Sequence, residues 1–254
     1  MSSKYLTYYD ADVDLEDVEL FEDGRWLNDK CIDLFIEYLD HNITSKDDIS
    51  RSKVFLLRAA LTFLISNIQG VLSYITFIFI ASLLYDQFLS KSSIFTAQVI
   101  FMIVNDNNDV TKARGGNHWS LLIFIRKTNK FLHYDSANGM NTEAAKSNAV
   151  RIAGVLGVTG SSFHNMKTPL QENAFNFNNF VFKPHIKECG IYVISITEQL
   201  YRKVIKYYQT HDHDDEIELS SVFELDNDQI PIGREMRKRC RNIVKDLRNA
   251  TTQK

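Results

Sequence analysis

The sequence predicts an α+β fold, because a strand-rich central stretch is flanked by segments with helical periodicity. Residues 98–104 form an apolar run of strand length, and residues 115–135 are expected to form a β-hairpin. Residues 142–156 and the apolar stretch from Cys189 to about Tyr208 have the spacing of helices that bury one face. We therefore expect a central helix beginning at Cys189, packed on a small mixed or antiparallel sheet.

The expected hairpin carries a histidine at one end and an aspartate at the other. Its first strand is the apolar run 121–125, the polar residues 126–129 suit a turn, and residues 130–135 return alongside. Antiparallel strands place the start of one strand beside the end of the other, so His118 should lie next to Asp135. Such an Asp fixes the tautomer of the imidazole and stabilises its cation, as a general base requires.

Cys189 is the candidate nucleophile for this pair. It stands at the start of the long helix-like stretch, where unpaired N–H groups and the helix dipole favour a thiolate. Taken singly, His118, Asp135 and Cys189 each have an ordinary structural interpretation: a buried histidine, a strand-end cap and a buried cysteine. Their combination favours nucleophilic catalysis.

Composition narrows the class of protein. A chain of 254 residues allows one large domain or two small ones, and 44% hydrophobic content is enough for a core. The formal net charge of −3 argues against general nucleic-acid binding. The cysteines at 31, 189 and 240 have neither metal-site spacing nor a disulfide framework, and no signal peptide opens the sequence. We therefore expect a reducing compartment, the cytosol or the nucleus, and an inert, packed Cys31.

Two helices and a short strand are also expected in the N-terminal half. Tyr5 to Tyr9 suits a strand or an arm, and Asn28 or Asp29 suits the N-cap of a helix. That helix would bury apolar residues at 32, 35, 36 and 39. From Ala59 to Tyr85 no formal charge occurs, which is compatible with buried helices, a membrane-associated hairpin or span, or a segment outside the domain. We favour buried helices, because polar residues interrupt the run.

Three charged segments remain. Asp10 to Glu22 contains seven carboxylates and is predicted to be a solvated face. Residues 211–215, HDHDD, are read as a solvated acidic loop rather than as metal ligands, because no second cluster of spaced ligands accompanies them. Residues 233–249 predict a basic amphipathic helix, either with a solvated face or in contact with an acidic partner.

Several motifs occur together in one order along the chain. They are WLND at 26–29, VNDN at 104–107, GGNHWSLL at 115–122, HYDS at 133–136, QEN at 171–173 and ECGIYVI at 188–194. In this the sequence resembles the ubiquitin-like-protein-specific cysteine proteases, the sentrin-specific protease family, and most of all its deneddylase branch. The resemblance covers about residues 5–40 and 98–208.

The resemblance implies a papain-like architecture and cleavage after the C-terminal Gly-Gly of a ubiquitin-like modifier. In that family His118 would be the general base, Asp135 its orienter and Cys189 the nucleophile, while Gln171 would donate to the oxyanion. No metal or cofactor is implied. The implied partner is a modifier of the Nedd type, with the sentrin type as the alternative, and its conjugates.

The resemblance also implies a set of substrate-binding residues. Trp119 would cover the Gly-Gly tail, since only residues without a side chain pass beneath such a roof. Trp26 and Asp29 would meet the modifier surface, and Asn105 would lie in a polar loop near the scissile bond.

The chain departs from the family pattern twice. About twelve extra residues, near 174–185, separate Gln171 from Glu188 in a motif that otherwise reads Q-x-N-x-x-[DE]-C. The apolar stretch near 70–95 has no counterpart in the pattern. We expect residues 1–254 to form a single protease domain with these two insertions. A catalytically impaired modifier-binding module and a desumoylating protease stay open as alternatives.

Overall fold

A computed structural model of the chain describes residues 4–43, 52–67, 94–109, 111–112, 115–171, 187–211 and 219–252. Its strands are β1 (Lys4–Tyr8), β2 (Ala11–Asp14), β3 (Val54–Leu57), β4 (Val99–Asn105), β5 (Trp119–Ile125), β6 (Lys130–Tyr134) and β7 (Ser162–Asn165). Its helices are α1 (Leu15–Val18), α2 (Asp29–Ile43), α3 (Ala59–Asn67), α4 (Thr142–Leu156), α5 (Cys189–Thr210), α6 (Leu219–Val222) and α7 (Gly233–Thr252). The predicted α+β class is confirmed.

Five strands of the described chain form one mixed sheet in the order β3-β4-β5-β6-β7. The inner strands β4, β5 and β6 are antiparallel, and β3 and β7 add to the two edges in parallel. β5 and β6 are the predicted hairpin, in which Leu121 pairs with Tyr134 and Ile125 with Lys130. The Asn129 N–H donates to the Arg126 carbonyl at 3.1 Å and closes the predicted turn.

Both faces of this sheet are buried, which explains why β4 and β5 are continuous apolar runs. Successive side chains of a strand point to opposite faces. Phe101 and Ile103 accordingly belong to the core that contains α5, whereas Ile100 and Met102 belong to the core that contains α4. The long helix that begins at Cys189 is therefore held against the middle of the sheet, as predicted.

Helix α2 begins as the sequence predicts, with Asn28 as its N-cap. The Asn28 side-chain oxygen accepts the Cys31 N–H at 3.0 Å. The apolar face of α2, including Ile32 and Phe35, is buried. Cys31 is buried as expected, its thiol donates to the Asp17 carbonyl at 3.1 Å, and burial raises the pKa of that thiol.

The acidic segment 10–22 was expected to be a solvated face, and for Asp17 that is wrong. Asp17 is buried, and its carboxylate accepts hydrogen bonds from the Asn28 amide at 2.7 Å and the Asp14 N–H at 2.9 Å. Lys30 lies 3.3 Å from the same carboxylate. The buried charge is thus fully partnered, and it holds the chain just before α2 in place.

The basic C-terminal helix α7 forms as predicted, but a simple solvated face does not describe it. Met236, Cys240 and Val244 are buried, and Arg237 between them is fully buried as well. Its arginines find acidic partners within the same chain, in the pairs Arg234–Asp23, Arg237–Glu188, Arg239–Glu198 and Arg241–Glu22.

The uncharged stretch 59–85 begins with helix α3, whose residues Ala59, Thr62 and Ile65 are buried. This part is helical as expected, but only one face of the helix is buried and Ala60 is exposed. The described residues contain no helix whose length and hydropathy would let it cross a bilayer. Residues 68–93, 172–186 and 212–218 lie outside the described residues, and with them most of the two expected insertions and of the HDHDD loop.

One buried carboxylate links α2 to α3 and was not foreseen from the sequence. The Asp33 side chain accepts the Ala59 N–H at 2.7 Å and so satisfies a backbone group at the first turn of α3. Burial raises the pKa of Asp33 to about 7, although this hydrogen bond and the nearby Arg58 lower it.

We expect Asp33→Asn to stabilise the protein more at pH 8 than at pH 5. The folded-state pKa is raised, so the folded wild type loses free energy of unfolding as pH rises from the usual Asp value to about 7. The neutral amide still accepts the Ala59 N–H and carries no buried charge. Removing that charge stabilises the folded state by at most about 1.4 kcal/mol for each unit by which the Asp33 pKa is raised. Urea unfolding of both proteins at pH 5 and pH 8 measures the effect. A stability difference that does not change with pH would contradict the assignment.

Candidate active site

The hairpin brings His118 and Asp135 into direct contact, as its predicted register requires. His118 directly precedes β5, Asp135 directly follows β6, and His118 Nε2–H donates to Asp135 Oδ1 at 2.6 Å. Both side chains are buried. Burial alone lowers the pKa of His118, but hydrogen bonding and charge interaction with Asp135 and Cys189 outweigh it and raise the pKa to about 9. The imidazole is therefore protonated at neutral pH.

Asp135 is in turn fixed by backbone donors of the loop that follows it. Its Oδ1 accepts the Ala137 N–H and its Oδ2 the Asn141 N–H, both at 2.8 Å. Burial raises the pKa of this carboxyl, but His118 and the two N–H groups together bring it below its usual value. Asp135 is thus a fixed negative charge beside the protonated imidazole.

The loop before His118 is held by the polar residues that follow β4. Asp106 Oδ1 accepts the backbone N–H of Asn117 at 2.6 Å and of His118 at 3.0 Å, and Asn105 Nδ2 donates to the His118 carbonyl at 3.1 Å. Gly116 has a φ of +82°, and a Cβ there would lie 2.0 Å from the Asn105 side-chain oxygen. Only glycine allows this close approach.

Cys189 is the first residue of α5 and is buried near His118. Since His118 Nε2 is engaged by Asp135, the remaining nitrogen, Nδ1, is the atom left to interact with the Cys189 thiol; it has no other partner. Gly190 lets the helix start pack tightly, because a Cβ there would lie 2.9 Å from Leu27 Cβ. The three residues predicted to perform nucleophilic chemistry are therefore brought together.

A cleft of about 590 Å³ opens over Cys189. Its lining includes all the predicted substrate-binding residues, namely Trp26, Asp29, Asn105 and Trp119. The Trp119 indole N–H donates to the Leu27 carbonyl at 3.0 Å, which fixes the ring beside the residues that precede α2. Trp26 is 49% exposed and stands at the rim.

Gln171, the predicted oxyanion donor, is not part of the cleft lining. It is buried, and its amide donates to Ser136 Oγ at 2.8 Å, beside the loop that holds Asp135. The Tyr192 hydroxyl on the first turn of α5 donates at 3.3 Å to the carbonyl of Leu170, the residue before Gln171. Gln171 therefore lies close to the helix that Cys189 begins, and one of its two amide hydrogens remains available.

Comparison with known proteins decides the family. The family model described as "Ulp1 protease family, C-terminal catalytic domain" matches residues 25–220. The chain belongs to the Ulp1 protease family. It is therefore a cysteine protease, with Cys189 at the helix start where the predicted nucleophile was expected.

Individual members of the Ulp1 protease family are similar over most of their length. The probable sentrin-specific protease 8 of Dictyostelium discoideum is 30% identical over 79% of this chain and 76% of its own. NEDD8-specific protease 1 of Arabidopsis thaliana is 25% identical over 76% of this chain and 73% of its own. The solved Ulp1 protease domain in complex with Smt3, the yeast ortholog of SUMO, covers 98% of this chain and 90% of its own, with 17% identity and a TM-score of 0.54. That likeness confirms the predicted protease fold.

Sequence reasoning missed a polar network behind the pair. Neutral His133 accepts from the Ser120 hydroxyl at 3.0 Å and donates to the Asn165 amide oxygen at 2.8 Å, and burial lowers its pKa. The Asn141 amide donates to Ser120 Oγ at 3.0 Å. His133 and Ser120 alternate with core residues on adjacent strands, and a polar residue inside an apolar strand was the available signal.

We expect Gly116→Ala to lower kcat/KM by about 10²-fold. The added Cβ displaces the loop before His118 and so shifts the imidazole, and a misplacement of about 1 Å costs about 10²-fold in rate. Gly157→Ala is the matched control. Gly157 also has a positive φ, +66°, but nothing lies within 4 Å of an added Cβ. Both variants bear a similar backbone strain, and only Gly116→Ala should lose activity. Equal activity losses, measured with melting temperatures, would contradict the role of this loop.

Proposed function

We propose that Cys189, His118 and Asp135 are the catalytic residues of a protease that cleaves after the C-terminal Gly-Gly of a ubiquitin-like modifier. The observation that carries the proposal is the buried His118–Asp135 pair, 2.6 Å between nitrogen and oxygen, beside a cysteine at a helix start. The reaction either matures a modifier precursor or releases the modifier from lysine isopeptide bonds.

The protonation state of His118 sets the order of proton transfers. The Cys189 sulfur attacks the carbonyl carbon of the terminal glycine, and His118 gives its proton to the leaving amine. A thioester forms and the amine departs. His118, now neutral, takes a proton from water as the water attacks the thioester. Collapse of the tetrahedral intermediate breaks the carbon–sulfur bond and expels the Cys189 sulfur as a thiolate beside the protonated His118, which restores the starting pair. The carboxylic acid product leaves and loses its proton to the solvent.

Gln171 completes the proposal as a donor to the oxyanion, together with a backbone N–H at the start of α5. Its support is the buried amide near the first turn of α5, tethered to Ser136. Such donors must lie about 3 Å from the developing charge, and losing one typically costs about 10²–10³ in rate.

The cleft residues provide the proposed specificity for a glycine tail. Trp119, fixed to Leu27, roofs the path to Cys189, and a tail without side chains passes beneath it. Trp26 and Asp29 at the rim are proposed to meet the globular part of the modifier. The Asn105 amide donates to the His118 carbonyl. We propose that Asn105 forms part of the polar side of the cleft near the scissile bond.

The Nedd type is the favoured modifier, supported by the similarity to NEDD8-specific protease 1 of Arabidopsis thaliana. The sentrin type is the second candidate, because the Ulp1 domain that shares the fold was solved with Smt3. We further propose a single protease domain, 1–254, with insertions near 70–95 and 174–185. The three cysteines are unpaired, which supports a reducing compartment, the cytosol or the nucleus, as the place where the protein acts.

A vinyl-sulfone probe on each modifier tests this function and separates it from that of a silent binding module. We expect the Nedd-type probe to label wild-type protein covalently and faster than sentrin-type or ubiquitin probes. Cys189→Ala should bind the modifier with unchanged Kd yet show neither labelling nor hydrolysis, because the thiolate does the chemistry. Cys31→Ala, at a buried cysteine outside the cleft, is the control and should label normally. Binding without labelling by the wild type would leave only the binding module.

The pH dependence of kcat/KM tests His118 separately. The protonated imidazole is the reactive form, so activity should fall as pH rises through about 9. Asp135→Asn removes a charge that raises the pKa, so the alkaline limb should move to lower pH and the maximum rate should fall. Asp226→Asn, whose carboxylate pairs with Lys203 at 3.0 Å, is the control. An alkaline limb at the same pH in both variants would show that Asp135 does not tune His118.

A further inference from the structure

Arg237 of α7 is fully buried, although arginine is rarely buried without a partner. It donates to two separate segments of the chain. Its guanidinium binds the Glu188 carboxylate at 3.0–3.1 Å and the Lys187 carbonyl at 3.0 Å. On its other side it binds the carbonyls of residues that precede Trp26, namely Leu20 at 3.0 Å, Glu22 at 2.9 Å and Arg25 at 2.7 Å.

One of these segments leads directly into the nucleophile, and the other forms part of the cleft wall. Lys187 and Glu188 are the last residues before Cys189, so their position sets the start of α5. Arg25 directly precedes Trp26 and Leu27, which line the cleft, and Leu27 accepts the Trp119 indole N–H. A single guanidinium therefore fixes the nucleophile relative to the wall that holds the tail.

Only an arginine provides this arrangement. Its five N–H donors lie in one plane and form a rigid fork, whereas lysine has three donors at one point. The described contacts use every guanidinium nitrogen, and they cover both Glu188 oxygens and four backbone carbonyls. The buried positive charge is balanced by Glu188, which lies next to the reacting cysteine.

We propose that Arg237 is a positioning residue for the protease reaction, coupling the place of Cys189 to the place of the substrate-tail wall. This inference rests on the proposed function of Cys189. Arg237 touches neither the substrate nor the reacting atoms. It acts by holding Glu188 and the chain at 20–25 in one relative position. An error of about 1 Å in that position costs about 10²-fold in rate.

Arg237→Lys tests the proposal with a fluorogenic modifier conjugate. We expect kcat/KM per active site to fall by about 10²-fold, with kcat lowered and KM raised, since both segments shift. Active-site concentration is fixed by titration with the vinyl-sulfone probe, and melting temperature is measured alongside. The rate at which iodoacetamide alkylates Cys189, followed at that residue by peptide mapping, reports the nucleophile without the substrate tail, and we expect it to fall less than turnover does.

Arg239→Lys is the matched control. Arg239 lies on the same helix and pairs with Glu198 on α5, away from the cleft. Its loss should lower the melting temperature but leave kcat/KM per active site at the wild-type value. An equal loss of kcat/KM in both variants, or none in Arg237→Lys, would overturn the proposal.

Glu188→Gln serves if Arg237→Lys does not fold, because it leaves the four carbonyl contacts of Arg237 in place. We expect it to lower kcat more than it raises KM, since it loosens only the nucleophile side. Wild-type turnover in Glu188→Gln would make Arg237 a purely structural residue and overturn the proposal. A wild-type protein without turnover on any modifier would instead refute the proposed function itself.

Discussion

The antiparallel register of β5 with β6 is the constraint on which the rest of the site depends. His118 stands one residue before β5 and Asp135 one residue after β6, so their contact follows from the pairing of Leu121 with Tyr134. A slip of one residue would turn every side chain of one strand to the other face of the sheet. Because both faces are buried, such a slip would move the core side chains of β5 from one core to the other. The same apolar pattern that builds the sheet therefore also places the pair proposed to be catalytic.

Charges at the site are stabilised by the protein rather than by water, since the groups concerned are buried. Asp135 stays negative because His118 and two backbone N–H groups bind it, and the Asp135 charge helps to keep His118 protonated. His133 behind them is neutral and donates only to Asn165. On the opposite side, the buried charge of Arg237 is matched by Glu188. A buried charge without a partner would cost several kcal/mol, so each charged group holds its own partner in place.

The sequence predicted the parts of the site that follow from local periodicity. The hairpin, the helix from Cys189, and the Asn28 cap of α2 each depend on neighbouring residues, and each is confirmed. The partners of Arg237 and Asp17 were not predicted. Arg237 meets Glu188 from 49 residues away, and helical periodicity tells which face of α7 is buried but not which group lies opposite. For the same reason the sequence left open whether the basic helix has a solvated face or meets an acidic partner, since charge alone does not reveal that the chain supplies its own acidic partners.

Under the proposed function, substrate recognition and chemistry share contacts in this fold. Trp119 is bound to the Leu27 carbonyl, and Leu27 is so close to Gly190 that a Cβ there would meet it at 2.9 Å. A side chain on the modifier tail that pushed Trp119 aside would move Leu27, and Leu27 would press on the residue after Cys189. The wrong tail would then bind less well and also displace the nucleophile. We therefore expect the proposed discrimination in favour of glycine to act on kcat as well as on KM, because close packing transmits a shift in the roof to the helix start.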